Sequence, residues 1–98
     1  MTRAVFFMPA ARVEVTEAQD WYESRAKGLG AAFRREVERA VERLAEGPAH
    51  FPTVLRDVRR ARLRRFPYAL HFRPMPDGVH VIACFHSRRD PLALQRRD

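Results

Sequence analysis

The hydrophobic pattern of this chain changes period near Asp57. Before it, apolar residues recur at helical spacing. Ala11, Val15, Ala18 and Tyr22 follow one another at steps of four, three and four, with Trp21 beside them. That spacing predicts an amphipathic helix from Pro9 to about Ala26, and Pro9, which has no N–H to lose, suits its first turn. Ahead of it the short aromatic-rich run Ala4-Val5-Phe6-Phe7-Met8 predicts a buried strand. Gly28 and Gly30 break the pattern and predict a tight turn between two helices. In the second helix Phe33, Val37, Ala40, Val41 and Leu44 form one apolar stripe, while Arg and Glu alternate on the other side, Arg34 with Glu38 and Glu36 with Arg39. Gly47-Pro48 ends it, and His50-Phe51-Pro52 reads as a loop whose Phe51 folds back onto the core.

Beyond Asp57 the period is two. From Val58 to Arg65, Arg60, Arg62 and Arg64 alternate with Ala61 and Leu63, so a strand there carries three guanidinium groups side by side on one face. From Tyr68 to Arg73, Tyr68, Leu70 and Phe72 share one face and Ala69, His71 and Arg73 the other. Asp77-Gly78 is a hairpin signal, and Val79, Val81, Ala83 and Phe85 then share a face. Because Ile82 and Cys84 keep the opposite face apolar, this last strand is expected in the middle of the sheet. Arg88 to Asp98 reads as a polar tail with a short helix starting near Asp90-Pro91. The implied fold is α+β: a strand, a two-helix hairpin and a three-stranded antiparallel meander (β-α-α-β-β-β), with both helices on one face of the sheet. All of residues 1–98 are expected to form a single domain.

Charge sharpens this picture. Residues 1–55 carry eight basic and eight acidic side chains and sum to zero, so the formal +7 belongs to residues 56–98, where eleven Arg face four Asp. Eighteen of the nineteen basic residues are Arg, whose planar fork grips phosphate or carboxylate through two hydrogen bonds. A concentrated Arg face implies an anionic partner. The lone Cys84 allows no intrachain disulfide, which suggests a reducing, cytoplasmic setting. The apolar run at the N-terminus is too short for a signal-peptide core or a membrane span, so no export is expected.

The usual catalytic constellations are missing. There is no glycine-rich phosphate loop or nucleophile elbow, and His50, His71, His80 and His86 lack ligand spacing, so neither a metal nor a cofactor is expected. His71 reads as an outward strand residue beside the Arg stripe, and Trp21 and Tyr22 as packing between helix and sheet. His86, where the last strand gives way to Ser87-Arg88-Arg89, could donate a proton or contact a phosphate.

Several segments resemble a known family in their order. Met8-Pro9-Ala10-Ala11, Trp21-Tyr22-Glu23, Gly28-Leu29-Gly30 before Phe33, and Phe51-Pro52 resemble its first half. The run Leu63 to Arg73 and the run Val81 to Arg89 resemble its second. Together they are similar to the RelE/ParE superfamily of type II toxin-antitoxin toxins, most closely to its ParE-like, plasmid-stabilisation members. The resemblance implies a toxin held inactive by a cognate antitoxin that lies across its sheet and helices. ParE-like toxins poison DNA gyrase, whereas RelE-like toxins cut messenger RNA on the ribosome. Carried over by position, Arg60, Arg62 and Arg64 stand where RelE-type nucleases have basic strand residues, and Arg88 stands where they place a catalytic arginine. Two positions depart from the nuclease pattern: Ala69 stands where an arginine is expected, and no Tyr follows Arg89. The expectation is therefore a ParE-like gyrase inhibitor whose target-binding surface is Arg60, Arg62, Arg64, Arg73 and Arg89. The alternative is a ribosome-dependent endoribonuclease with Arg88 and His86 as catalytic residues. A third reading is an inactive relic or a basic nucleic-acid-binding module.

Overall fold

The computed structural model describes residues 2–97. Its elements are β1 (Val5–Phe7), α1 (Pro9–Arg25), α2 (Leu29–Glu46), β2 (Thr53–Leu55), β3 (Val58–Arg62), β4 (Tyr68–Met75) and β5 (Gly78–His86). Short 3₁₀ turns cover Pro48–His50 and Pro91–Arg96. The sheet order is β1-β5-β4-β3-β2, with β1 parallel to β5 and every other pair antiparallel. This is the α+β arrangement expected from the sequence, with β5 inside the sheet between β1 and β4. It has one strand more than the pattern signalled, because β2 has only three residues and shows no period of its own.

The parallel strand β1 is held by its flanks. The Arg3 guanidinium donates to the carbonyls of Met75 and Gly78 at the tip of the β4–β5 hairpin, and Val79 N–H donates to Ala4 O at 2.8 Å. Gly78 has φ +148°, and a Cβ there would lie 2.5 Å from the Ala4 carbonyl oxygen, so only glycine fits this close approach.

The helix hairpin is tied by a carboxylate. Glu23, in the last turn of α1, accepts from Gly28 N–H at 3.0 Å and Gly30 N–H at 2.9 Å, satisfying donors that the start of α2 leaves open. These two hydrogen bonds hold its carboxyl below the usual carboxylate range. Gly30 lies within the first turn of α2 rather than in the interhelix turn. A Cβ on it would stand 2.8 Å from Gln19 O, so its role is the close approach of the two helices.

The main core lies between the helices and the sheet. Val15, Phe33, Val37 and Leu44 meet Leu70, Phe72, Val79 and Val81 there, and Phe51 closes over Phe72 with ring centroids 5.7 Å apart. At one end Tyr22, Phe33, Phe66 and Tyr68 form a mutually packed aromatic cluster with centroid separations of 4.8–6.1 Å. Trp21 touches it only from outside, its ring 5.0 Å from that of Tyr22, and does not pack between helix and sheet as expected. Tyr22 continues the apolar series of α1, and the neighbouring residue, rotated by about 100°, is half exposed with the Arg25 guanidinium 4.5 Å above its ring.

A bulge reverses the faces of β5. Phe72 pairs with Val81 but His71 with Ala83, so Ile82 is an extra residue. Val79 and Val81 therefore face the helices, whereas Ala83 and Phe85 face the other way, correcting the expectation that all four share one side. Ile82, Ala83 and Phe85 join Val58 in a second apolar cluster, which Leu94 of the C-terminal 3₁₀ turn covers. That turn begins where the sequence suggested, with the Asp90 carboxylate accepting from Leu92 N–H at 3.0 Å.

Beyond the end of β1, the outer edge of the bulge has no strand beside it. Side chains satisfy it instead: Glu14 of α1 accepts from Cys84 N–H at 2.9 Å, and Arg97 donates to Ile82 O at 2.7 Å. The two side chains pair with each other at 2.7 Å, closing a ring of helix, sheet and C-terminal turn.

Two stability changes follow from this packing. Phe33→Ala should cost about 3–5 kcal/mol in urea unfolding, since it empties the middle of the aromatic cluster. Glu14→Ala leaves Cys84 N–H and Arg97 without their acceptor and should cost about 1–3 kcal/mol, with proteolysis of residues 90–97 accelerated before global unfolding.

Candidate functional site

Arg60 and Arg62 stand on the sheet face turned away from the helices, paired across the ladder with His71 and Ala69. Among the described residues neither guanidinium has a hydrogen bond or an ion pair, whereas neighbouring arginines are engaged. Arg59 points to the other side and donates to Ala49 O at 3.2 Å and Phe51 O at 2.6 Å. Arg73 shares the face of Arg60 but is paired with Asp57 at 3.0 Å. Arg64 leaves the stripe. The strand ends at Arg62, the chain bends through Arg65 at φ +71°, and Arg64 is exposed in the connecting loop. The alternation in the sequence runs past the last residue that can pair, so it overstated the strand.

The end of β5 completes the site. Arg60, Arg62, Ala69 and His71 line a hollow of about 200 Å³ with His86, Ser87, Arg89 and Pro91. Arg89 lies over the Phe85 ring at 4.1 Å and 3.6 Å from Glu14. His86 packs its ring 5.2 Å from Tyr68 and accepts from Arg88 N–H at 3.1 Å through Nδ1. Arg88 is exposed on the turn after β5 and does not line the hollow. The structure thus brings together Arg60, Arg62, Arg89 and His86 from the expected set in this hollow, gathers Arg64 with Arg60 and Arg62 around a neighbouring depression of about 370 Å³, and leaves Arg73 and Arg88 aside.

His71 is outward facing as expected, yet it is buried, only 4% exposed, with its ring 5.3 Å from Phe85. Its Nδ1 has no hydrogen-bond partner. Burial, reinforced by the Arg60 charge, pushes its pKa down to about 4, so it is neutral at pH 7. Nothing in a strand of alternating residues distinguishes this histidine from a solvated one; the C-terminal cover and the bulge bury it. Burial also pushes the Cys84 thiol up to about 12, which makes it a packing residue rather than a nucleophile.

Two larger grooves lie outside this hollow, and the first of them borders it at His86 and Arg89. One of about 620 Å³ runs between α1 and the ends of β4 and β5, with Trp21, Glu17, Tyr68 and His86 on its walls. The other, about 860 Å³, follows β1 beneath the helices; Val5, Phe7, Val37 and Val41 give it an apolar floor, and Arg12 and Arg34 stand beside them. Phe6 in the same strand is 43% exposed. Among the described residues no cluster of His, Cys, Asp and Glu could hold a metal ion, and no helix is long and apolar enough to cross a membrane.

With a helix hairpin on one side of a mostly antiparallel sheet and unpaired arginines on the other, the chain is a toxin of the RelE/ParE superfamily. Residues 5–91 match the family described as ParE toxin of type II toxin-antitoxin system, parDE, and the chain belongs to that family. The fold is similar to that of the chromosomal ParDE TA system from P. aeruginosa, with a TM-score of 0.71 and 17% identity over 87% of this chain and 96% of that one. No curated protein matches the sequence. The chain is therefore the toxin component of a type II toxin-antitoxin system, and its partner is an antitoxin.

The buried histidine makes stability depend on pH. The folded protein keeps His71 neutral down to about pH 4, whereas the unfolded chain takes up a proton near 6.5. The unfolded state thus binds more protons between these values, and stability falls as the pH drops through them, by roughly 3 kcal/mol in all. His71→Leu should flatten that part of a urea-unfolding profile against pH and leave stability at pH 7 equal or higher.

Proposed function

We propose that this toxin inhibits DNA gyrase in the cytoplasm, contacting its target through the face that carries Arg60, Arg62 and Arg89. The observation that carries the reading is the match to the ParE toxin family over residues 5–91. The site supports it further. Two free guanidinium groups and a third beside them suit a target that is itself bound to a polyanion. A nuclease would need an arginine and an acid or base converging on one phosphate. Here the residue at the arginine position is Ala69, and Arg88 points into solvent away from the hollow.

The antitoxin is assigned to the groove along β1. An edge strand with open backbone groups accepts an added strand, and the apolar floor, bordered by Arg12 and Arg34 and by Glu38 and Asp77, fits an amphipathic segment with charges of both signs. This surface lies on β1 and the helices, apart from the arginine face, so antitoxin contact and target contact use different residues.

Inducible expression should arrest growth, and the purified protein should block supercoiling by gyrase. Arg60→Ala with Arg62→Ala should raise the concentration for half-inhibition at least ~10-fold, equivalent to about 1.4 kcal/mol of target binding. Arg12→Glu with Arg34→Glu should weaken antitoxin capture and spare gyrase inhibition. Normal supercoiling alongside stalled translation and cleaved messages would overturn the gyrase assignment.

A further inference from the structure

We infer that two copies of the free toxin associate through the outer edge of β1, joining their sheets into one across a two-fold axis at Phe6. The inference goes beyond the antitoxin assignment and stands without it, because it concerns the chain when no antitoxin is present. Its first support is the backbone. Ala4 O accepts from Val79 N–H and Met8 N–H donates to Val81 O, so Phe6, two residues from each, turns its own groups toward β5 as well. Val5 and Phe7 therefore turn their N–H and C=O groups to the open edge. An antiparallel second copy centred on Phe6 sets Val5 opposite the partner's Phe7 and Phe7 opposite the partner's Val5, and each of these pairs exchanges both of its hydrogen bonds. The strand is complementary to itself.

The second support is what lines that edge. Val5 and Phe7 lie on the helix side and form the apolar floor of the groove of about 860 Å³ with Val37 and Val41. The two-fold lays the two floors side by side. Phe6 points to the other sheet face, 43% exposed with its ring 5.7 Å from His80. It meets the partner's Phe6 across the axis, in the kind of pair whose side chains come closest. Strand edges are ordinarily guarded by a charge, a proline or a bulge. Val5, Phe6 and Phe7 include none of these, and the Arg3 guanidinium beside them is held by the carbonyls of Met75 and Gly78.

The third support is charge. Arg12 lies in the first turn of α1, just past the end of β1, where its N–H donates to Met8 O. Asp77 lies at the opposite end, in the hairpin turn beside Gly78, which packs against Ala4. Both border the groove. Reversing the direction of β1 brings Asp77 to the partner's Arg12 and Arg12 to the partner's Asp77, an opposite-charge pair at each end of an isologous seam. A parallel pairing would set like charges together instead. Both groups are free to respond: the Arg12 guanidinium has no partner among the described residues, and Asp77 uses only Oδ1, on His80 at 2.8 Å. Because each strand has only three residues, the seam is short and the dimer dissociates on dilution.

The test is sedimentation equilibrium of the full chain, without antitoxin, over a range of concentrations at physiological ionic strength. The mass should rise toward twice that of the monomer. Phe6→Lys, which places two ammonium groups across the axis, should weaken association at least ~10-fold. Arg12→Glu alone and Asp77→Arg alone should do the same, since each sets like charges at both ends of the seam. Mixing the Arg12→Glu chain with the Asp77→Arg chain restores both opposite-charge pairs and should recover the association of the unchanged protein. Arg35→Glu, on the exposed side of α2 outside the groove, changes the net charge as much as Arg12→Glu and should leave association unaltered. A chain that stays monomeric at every concentration overturns the inference, as does a dimer that Phe6→Lys leaves intact or a mixture that associates no better than its parts. The readout is the mass of the free toxin, so the dimer can fail while the antitoxin assignment stands, and the reverse.

Discussion

The bulge at Ile82 in β5 is the constraint on which both faces of this protein depend. β5 is an interior strand, flanked by β1 and β4, and one added residue reverses which of its side chains face the helices. Without it, Ala83 and Phe85 would continue the helix-facing row of Val79 and Val81. With it, Cys84 takes that place, and Ile82, Ala83 and Phe85 seed a second small core on the far side. An inserted residue breaks the ladder and leaves polar groups to satisfy. Glu14 and Arg97 satisfy the two outermost, and their ion pair fastens the C-terminal turn over the new apolar surface. Charge and packing reinforce one another here, because the pair is only partly exposed, at 20% for Arg97 and 16% for Glu14.

That arrangement decides which arginines are available. The fold does not present all of its guanidinium groups to solvent but uses several as struts. Arg3 holds the hairpin tip, Arg43 donates to Arg62 O, Arg59 holds the loop after α2, and Arg97 clamps the bulge. On the outer face of β3, Arg60 and Arg62 remain without a partner among the described residues, next to a hollow whose wall is the covered second core. His71 belongs to both, packed against Phe85 yet polar and unpaired.

The helix side obeys a different economy. Glu23 ties α1 to α2, Gly30 lets them approach closely, and an aromatic cluster locks the hairpin to the loop before β4. This leaves β1 with a free outer edge and a groove with an apolar floor. Two separate surfaces result, a groove with an apolar floor along the strand edge and a cationic patch on the opposite sheet face.

Much of the fold was legible in the sequence because helical and strand periods are local. The four-three-four spacing from Ala11 to Tyr22, the stripe from Phe33 to Leu44, the alternation from Tyr68 to Arg73 and the hairpin at Asp77-Gly78 each specify an element without reference to the rest. Residue order also identified the toxin family and placed Arg60 and Arg62 on one face. What the tertiary structure alone decided is everything that depends on pairing. Strand length depends on a neighbour, so Arg64 fell outside the stripe and β2 went unseen. A bulge is a mismatch between two strands and has no signature in one of them, so the side on which Phe85 lies was not readable. Burial depends on what covers a face, so His71 became a buried neutral imidazole and Trp21 stayed in solvent. Local periods determine elements; register and cover, which join residues far apart in the chain, determine the site.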